Sequence, residues 1–348
     1  MTQAKIRIRP DDLITFIAGI FIAKGMSETD ARTMAEVLTW ADRRGVTSHG
    51  VGRLAMYLRI LDSGEMDPRA IPVVIDNAPA LFTIDAKRSG GAVAMKLLME
   101  EATRRARQFG SVMGLLRGAT HTGAIGHYVW KAAEQGFVAI HLNSGPPNMA
   151  YHGARVPSLA TSPIAIGVPT EQGPLVLDMA TSAIANGRLQ QALANGTPIP
   201  EGSALTADGE PTTDASKADL LLPLGGPKGS GLSFMIECLS SVLASNPILL
   251  NALAPGGKRR NVHNALFMLI DIGKLRPLDE FKREMSAFGQ LVKELPRIDP
   301  QVEILLPGER SRLAYAASTA GVPIANGTWK KLCETAQSLG VTAPEPMA

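Results

Sequence analysis

The stretch that most constrains the fold is residues 111–142. An apolar run at 111–116 leads through a glycine-rich loop into an amphipathic segment at 123–135, and a second apolar run follows at 137–142. Short apolar runs bounded by turn signals read as strands, and the longer 3.6-residue period between them reads as a helix. The three together make a β-loop-α-β unit, compatible with a parallel pair of strands and an α/β architecture. No strand here runs into G-x-G-x-x-G at the opening of a helix, so the usual Rossmann fingerprint is missing.

Helices come before this unit. Asp11 or Asp12 can cap a first helix that ends near Lys24, with Gly25 as its stop. Ser27 caps a second, with Glu28 and Asp30 at its positive end, that runs to Arg43, Arg44 and Gly45. Val51, Leu54, Leu58 and Leu61 lie at helical spacing on a third segment beginning near Ser48. Strands are expected at 71–75 and 81–84, then a helix at 92–108. Beyond Asn143, strands at 164–168 and 175–177 alternate with Pro and Gly turns. A helix at 228–245, a buried strand at 265–271, a helix at 278–295, a short strand at 302–306 and closing helices at 308–320 and 327–339 complete the chain. Its 348 residues, 45% hydrophobic, suffice for about two domains whose core needs no disulfide. Cys238 and Cys333, far apart in apolar helix-like stretches, read as reduced core thiols.

Several function classes drop out. A net charge of +3 with scattered Lys and Arg and few aromatics argues against a nucleic-acid partner. The apolar run at 13–23 is too short for a bilayer, which needs about twenty residues, and it lacks a small-residue cleavage site. No membrane partner and a cytoplasmic location are therefore expected. His121 and His127 do not have zinc spacing and no metal is expected; a G-x-S-x-G elbow is absent.

Three segments can carry chemistry. In Thr47-Ser48-His49-Gly50-Val51-Gly52-Arg53, followed by Tyr57, a helix starting near Ser48 places His49 and Arg53 at i and i+4. Arg clamps a carboxylate with two parallel bonds, and His moves protons near neutral pH; an N-cap serine with surface His and Arg accounts for the segment equally well. Gly118 to His127 carries His121 on the loop leaving a strand, either facing a ligand crevice or making structural hydrogen bonds. Gly225 to Gly231, with Lys228, enters a helix and is either a phosphate-binding turn or a tight turn alone. His141, His152 and His263 read as structural.

Taken in order, Ser48 to Arg53, Gly118 to Gly126, Leu177 to Ser182, Asp208 to Asp214, Leu222 to Gly226, Lys228 to Leu232 and Pro307 to Glu309 resemble the malate/L-lactate dehydrogenase type 2 family over about residues 10–340. That family includes sulfolactate, ureidoglycolate and diketogulonate dehydrogenases and piperideine-2-carboxylate reductases. The resemblance implies an α/β, non-Rossmann nicotinamide-binding fold with a largely antiparallel central sheet and a helical domain built from both chain ends. The expected division is 1–70 with 275–348 as the helical, dimerisation and substrate domain, and 71–274 as the β-rich dinucleotide domain. It also implies a homodimer whose active site lies close to the subunit interface. Ser48, His49 and His121 are implied as catalytic residues, with His121 first as acid/base and His49 second; Arg53 and Tyr57 are implied to bind a small anionic substrate. NAD or NADP, with NAD ahead, is implied to lie along Ser144, Ser162, Leu177, Asp178, Met179, Ala180, Lys228, Gly229, Gly308, Glu309 and Arg310. Ser162, where the family often has Asn, and Arg188, often Lys, depart from the pattern. The expected reaction is hydride transfer at C2 of a 2-hydroxy or 2-oxo acid; the alternatives are reduction of a cyclic 2-imino acid and a non-catalytic binding protein on the same fold.

Overall fold

The computed structural model describes residues 5–347. Its largest sheet has seven strands: β2 (Val73–Ala78), β3 (Leu81–Asp85), β4 (Ser111–Ala119), β5 (Phe137–Ser144), β8 (Ile164–Val168), β9 (Leu175–Met179) and β13 (His263–Asp271). Their order is β2-β3-β4-β13-β5-β8-β9, and every neighbouring pair is antiparallel except β3 and β4. The architecture is mixed α/β, as the β-loop-α-β unit requires. The two strands of that unit, β4 and β5, point the same way but do not pair. β13 lies between them, with Phe267 opposite Gly114 on one side and His141 on the other. The reason is burial: Ala265, Leu266, Phe267 and Leu269 are all nearly inaccessible, and only a central position hides both faces of such a strand.

Alternation along the strands sends side chains to two apolar layers. On one face, Leu116, Ala139, Phe267 and Leu269 pack beneath α4 (Gly91–Phe109) and α5 (Gly126–Glu134), in a cluster that continues into α1 (Pro10–Ala23) and α2 (Glu28–Arg43). On the other, Leu115, Leu142 and Leu266 meet Ile236 of α7 (Pro227–Glu237). The expected helix at 228–245 is regular only to Glu237, then widens into a π-helical turn, Cys238–Val242. Glu237 there accepts the amides of Ile248 and Leu249, which open α8 (Ile248–Leu253).

Local chemistry explains the helix ends. Ser27 Oγ accepts the Asp30 amide and caps α2. Asp11 and Asp12 do not cap α1: Arg9 precedes the helix and Pro10 opens it, since a first-turn residue needs no N–H. The chain ends meet where β1 (Lys5–Ile8) pairs antiparallel with β14 (Val322–Ala325), beside α11 (Asn326–Ser338). A smaller sheet contains β6 (Met149–Ala150), β7 (Pro157–Leu159), β10 (Ala204–Leu205), β11 (Pro211–Thr212) and β12 (Leu220–Leu221), with α6 (Asn186–Asn195) contributing Leu189 and Ala192 to its core. Residues 302–306, expected as a strand, pair with no other strand; they lead from α9 (Leu278–Lys293) to α10 (Glu309–Ala317). Both cysteines are free and half-buried rather than in the core.

Candidate active site

The segment from Ser48 to Arg53 is not a regular helix. Two 3-10 turns, Thr47–His49 and Val51–Arg53, flank Gly50, and α3 (Leu54–Asp62) begins only afterwards. The i, i+4 placement expected of His49 and Arg53 is therefore replaced by a sharper geometry. Its cause is Asp42, near the end of α2, whose buried carboxylate accepts the Val51 amide at 2.7 Å. A Cβ on Gly50 would stand 2.0 Å from Asp42 Oδ1, so only glycine lets the chain wrap so closely. Burial pushes the Asp42 carboxyl up to about 7, against the lowering effect of the Val51 hydrogen bond.

A carboxyl whose pKa is raised on folding stabilises fully below its unfolded value near 3.8 and loses that contribution as pH rises through about 7. Asp42→Asn keeps an acceptor for Val51 without the charge. It is expected to gain about 1–2 kcal/mol over the wild type at pH 8, allowing for relaxation around the buried charge, and to show no gain at pH 4. Denaturant unfolding at the two pH values measures this; a loss of stability at both would show that the carboxylate itself is needed.

The turns bring the expected residues together. Ser48 Oγ lies 2.9 Å from His49 Nδ1, and Arg53 Nε donates to the Ser48 carbonyl at 2.6 Å. Buried Tyr57 on α3 places its hydroxyl 2.8 Å from His121 Nδ1, with the His121 carbonyl at 3.4 Å as a second acceptor. The His49 and His121 rings stack at 5.7 Å and 15°. Gly187, at the start of α6, packs where its Cβ would lie 2.0 Å from that of Ser48, so α6 closes over this turn.

A third histidine joins them. His263, read from the sequence as structural, stands perpendicular to His121 with ring centres 5.3 Å apart. Its Nδ1 is 3.5 Å from Asn143 Nδ2, whose amide oxygen accepts from Thr122. The register of β13, with His263 opposite Ala119 at the end of β4 and Asn264 opposite Ser144 of β5, brings it here. Burial, then the charge of Arg53, pushes His49 down to about 4. Burial pushes His263 down to about 4 as well. His121 is held well below its ordinary value by burial, then by His263, His49 and Arg53. At neutral pH the three imidazoles are uncharged and Arg53 supplies the positive charge, an arrangement suited to a small anion.

These groups open onto a cleft of about 1420 Å³. Its wall includes Ser48, His49, Arg53, His121 and His263, and extends along Ser144, Ser162, Leu177, Asp178, Met179 and Ala180 to Gly308 and Arg310. Asp178 accepts the Gly126 amide at 2.9 Å at the start of α5. Ser162 accepts a hydrogen bond from Ser233, and Ser144 is bonded to Ser241.

Tyr57 lies behind His121 rather than in the wall. Lys228, Gly229 and Glu309 also lie outside it. Lys228 is exposed on the first turn of α7, and Gly229 is buried where a Cβ would meet the backbone of Leu224 and Thr181. Glu309 turns inward to pair with Lys293 and accept the Leu306 amide. His141 is buried between Tyr128 and Phe267, and His152 lies against Gly226. Trp40 and Arg44, which no motif marked, line the cleft. Among the described residues, no helix is long and apolar enough to cross a membrane.

The sequence model of the malate/L-lactate dehydrogenase family matches residues 8–333. The chain belongs to that family. This malate/L-lactate dehydrogenase family member is 33% identical to the L-sulfolactate dehydrogenase of Methanocaldococcus jannaschii over 96% of this chain and 97% of the relative. It is 37% identical to a Delta(1)-pyrroline-2-carboxylate/Delta(1)-piperideine-2-carboxylate reductase of Pseudomonas putida, over 93% and 95% of the two chains. Its fold is similar to the malate dehydrogenase of Pyrococcus horikoshii, with a TM-score of 0.88 at 31% identity, covering 98% of this chain and 97% of that one.

Proposed function

We propose that this family member transfers a hydride reversibly between C2 of a small 2-hydroxy acid and NAD or NADP, giving the 2-oxo acid. The observation that carries the reading is the convergence of Arg53 with the stacked pair His49 and His121 at one end of the cleft. Named relatives include L-sulfolactate, malate and L-lactate dehydrogenases.

The residues present suit a dinucleotide. Gly308, at φ +78, precedes α10 and packs where a Cβ would lie 2.7 Å from the Val176 carbonyl. The Arg310 and Ser311 amides that follow have no acceptor among the described residues. Backbone donors at a helix N-terminus are a site for phosphate that needs no glycine fingerprint, which fits a non-Rossmann mode of binding. When bound, the dinucleotide supplies or accepts the hydride at C4 of its nicotinamide.

Arg53 binds the substrate carboxylate and fixes C2, with Ser48 holding the guanidinium through its carbonyl and His49 through its hydroxyl. His121 handles the hydroxyl proton. Its Nδ1 accepts from the Gly123 amide (3.2 Å) and faces the Tyr57 hydroxyl, leaving Nε2 for the substrate. A donor on Nδ1 favours the neutral ring and adds to burial in holding the pKa down. The neutral tautomer that can take a proton at Nε2 carries its own proton on Nδ1: in it His121 gives up the Gly123 bond, and Tyr57 turns its O–H to the His121 carbonyl and accepts from Nδ1. During oxidation the hydroxyl proton moves to Nε2; during reduction Nε2 returns it to the nascent alkoxide oxygen.

The 37% identity to an imino-acid reductase favours one second reading, in which the same cleft reduces a cyclic 2-imino acid and the proton goes to nitrogen. A homodimer is consistent with the exposed apolar row Leu232, Phe234, Met235, Leu239, Val242 and Leu243 on α7 and the π turn. The two chain ends, 1–70 and 275–348, then form the domain beside the substrate and 71–274 the dinucleotide domain, in a cytoplasmic enzyme. A panel of oxaloacetate, pyruvate, sulfopyruvate and piperideine-2-carboxylate with NADH or NADPH, followed by nicotinamide absorbance, tests the reading, with light scattering for the oligomer. Turnover of a 2-oxo acid is expected to exceed turnover of the imine; the reverse order would install the reductase, and no turnover with any of them would remove the catalytic reading.

A further inference from the structure

Arg44 ends α2 and is only 3% exposed. Its Nε and Nη2 have no hydrogen-bond partner among the described residues. The guanidinium is surrounded by rings instead, 5.2 Å from the centre of Trp40 and 5.9 Å from those of Trp130 and Tyr315. Glu134 of α5 acts on it only through space, and Arg312 of α10 adds a second positive charge nearby. Aromatic faces offset part of the cost of a buried cation, but an unpaired one remains costly. Helix C-termini favour positive charge, yet an arginine with partners meets that need, as half-buried neighbouring Arg43 does by reaching Ser318 and lying over the Tyr315 ring.

Arg44 lines the cleft, and so do Arg310, Ser311 and Ala314 of α10, the helix whose Tyr315 ring centre is 5.9 Å from it. Arg44 has different surroundings from Arg53: its neighbours are the rings of Trp40, Trp130 and Tyr315, whereas Arg53 is bonded to the Ser48 carbonyl beside the histidines. The cleft wall therefore carries two guanidinium groups. One is a planar clamp beside proton-handling groups. The other is a guanidinium without an anion, beside a helix N-terminus whose amides lack acceptors.

We propose that Arg44 is an anchor for a phosphate group of the dinucleotide, which supplies the anion this guanidinium lacks in the free protein. The inference rests on the dinucleotide reading above and adds a residue to it. Arg suits the role because its planar group stacks on the rings through its faces while its edge donates to phosphate oxygens. The phosphate is either the pyrophosphate or the 2′-phosphate that NADP alone carries.

The test uses the full-length protein and reads binding, not turnover. Trp40 and Trp130, two of the three tryptophans, flank the guanidinium, so intrinsic fluorescence reports on this group directly. NADH, NADPH and inorganic pyrophosphate are titrated into the wild type, Arg44→Met, which keeps a stem among the rings, and Arg44→Lys, which keeps the charge. In Arg44→Met the Kd for dinucleotide is expected to rise about tenfold or more, equivalent to about 1.4 kcal/mol, while the melting temperature of the free protein stays level or rises. Arg44→Lys should fall between the two. Weakening of both dinucleotides assigns the pyrophosphate; weakening of NADPH alone assigns the 2′-phosphate.

A folded Arg44→Met with a lower melting temperature and unchanged Kd values would overturn the proposal and make Arg44 a packing residue. Should that variant not fold, Arg44→Lys and the wild type decide: equal Kd values in both, with tryptophan emission indifferent to pyrophosphate and NADPH, would also overturn it. A wild type that binds neither dinucleotide would sink the dinucleotide reading and this inference with it. A wild type that binds and an Arg44→Met that binds equally well would sink the inference alone.

Discussion

His121→Asn is expected to lower kcat by about a hundred- to ten-thousandfold, the usual range for loss of a general acid–base. Asparagine keeps a polar group against Tyr57 and Gly123, so the fold and dinucleotide affinity should hold. The pH dependence separates this from simple damage. In the free protein His121 is held well below its ordinary value, first by burial and then by His263, His49 and Arg53. Neutral His121 is ready to accept a proton, so kcat/KM for oxidation should stay flat through neutral pH and fall only in acid. For reduction the sign reverses, and kcat/KM should decline as pH rises through the same depressed value, below the ordinary 6.5. A bound substrate carboxylate places a negative charge beside Arg53 and the histidines, which favours the charged ring. The kcat limb should therefore lie at higher pH than the kcat/KM limb. His121→Asn should remove both limbs, while His49→Asn should mainly raise KM. Loss of the limbs in the His49 variant, with the His121 variant keeping them, would exchange the two roles.

How much of this was legible in the sequence depends on the distance over which each feature is specified. The caps of α2 and the stop at Gly25 are set by neighbouring residues, and they could be read directly. The order of the central sheet could not. The β-loop-α-β pattern shows that β4 and β5 point the same way, but the strand between them comes more than a hundred residues later, and nothing local to β4 or β5 announces it. The same crossing hid His263, whose place beside His121 follows from its register with Ala119. Ser48, His49, Arg53 and His121 each stand in a recognisable motif. The 3-10 geometry that joins the first three was not legible, because it depends on Asp42 reaching Val51 past Gly50. Arg44 was misleading in a different way. In sequence it is half of an ordinary basic helix end; only the three rings from α2, α5 and α10 show that it is buried. Lys228 contrasts with it, an exposed charge in a glycine-rich turn that reads as a phosphate loop, where Gly229 packs against the backbone of Leu224 and Thr181.

Arg53→Lys should lower kcat/KM by about a hundredfold, a loss of about 2.7 kcal/mol of transition-state binding, with dinucleotide affinity nearly unchanged. The charge survives this substitution, so the loss must come from geometry. Arg53 uses Nε on the Ser48 carbonyl at 2.6 Å, which turns the rest of the planar group to present a paired edge to a carboxylate. An ammonium ion cannot hold that carbonyl and offer two parallel donors in one plane. Freed from Ser48, it also leaves the turn that carries His49 less firmly placed, so part of the loss should fall on kcat rather than on KM alone. Burial lowers the pKa of Arg53 itself, with the Tyr57 hydroxyl opposing that shift, and a lysine in the same surroundings starts from a lower value and is more easily neutralised. Activity of the lysine variant should therefore weaken further as pH rises, whereas the wild type keeps its clamp charged. An inhibitor that keeps the carboxylate but lacks the C2 oxygen isolates the clamp: its Kd should rise in Arg53→Lys and stay near the wild-type value in His121→Asn. Equal kcat/KM for Arg53→Lys and the wild type, at both neutral and alkaline pH, would take Arg53 out of the substrate site and leave the histidines without the anion that their uncharged, arginine-flanked pocket is built to receive.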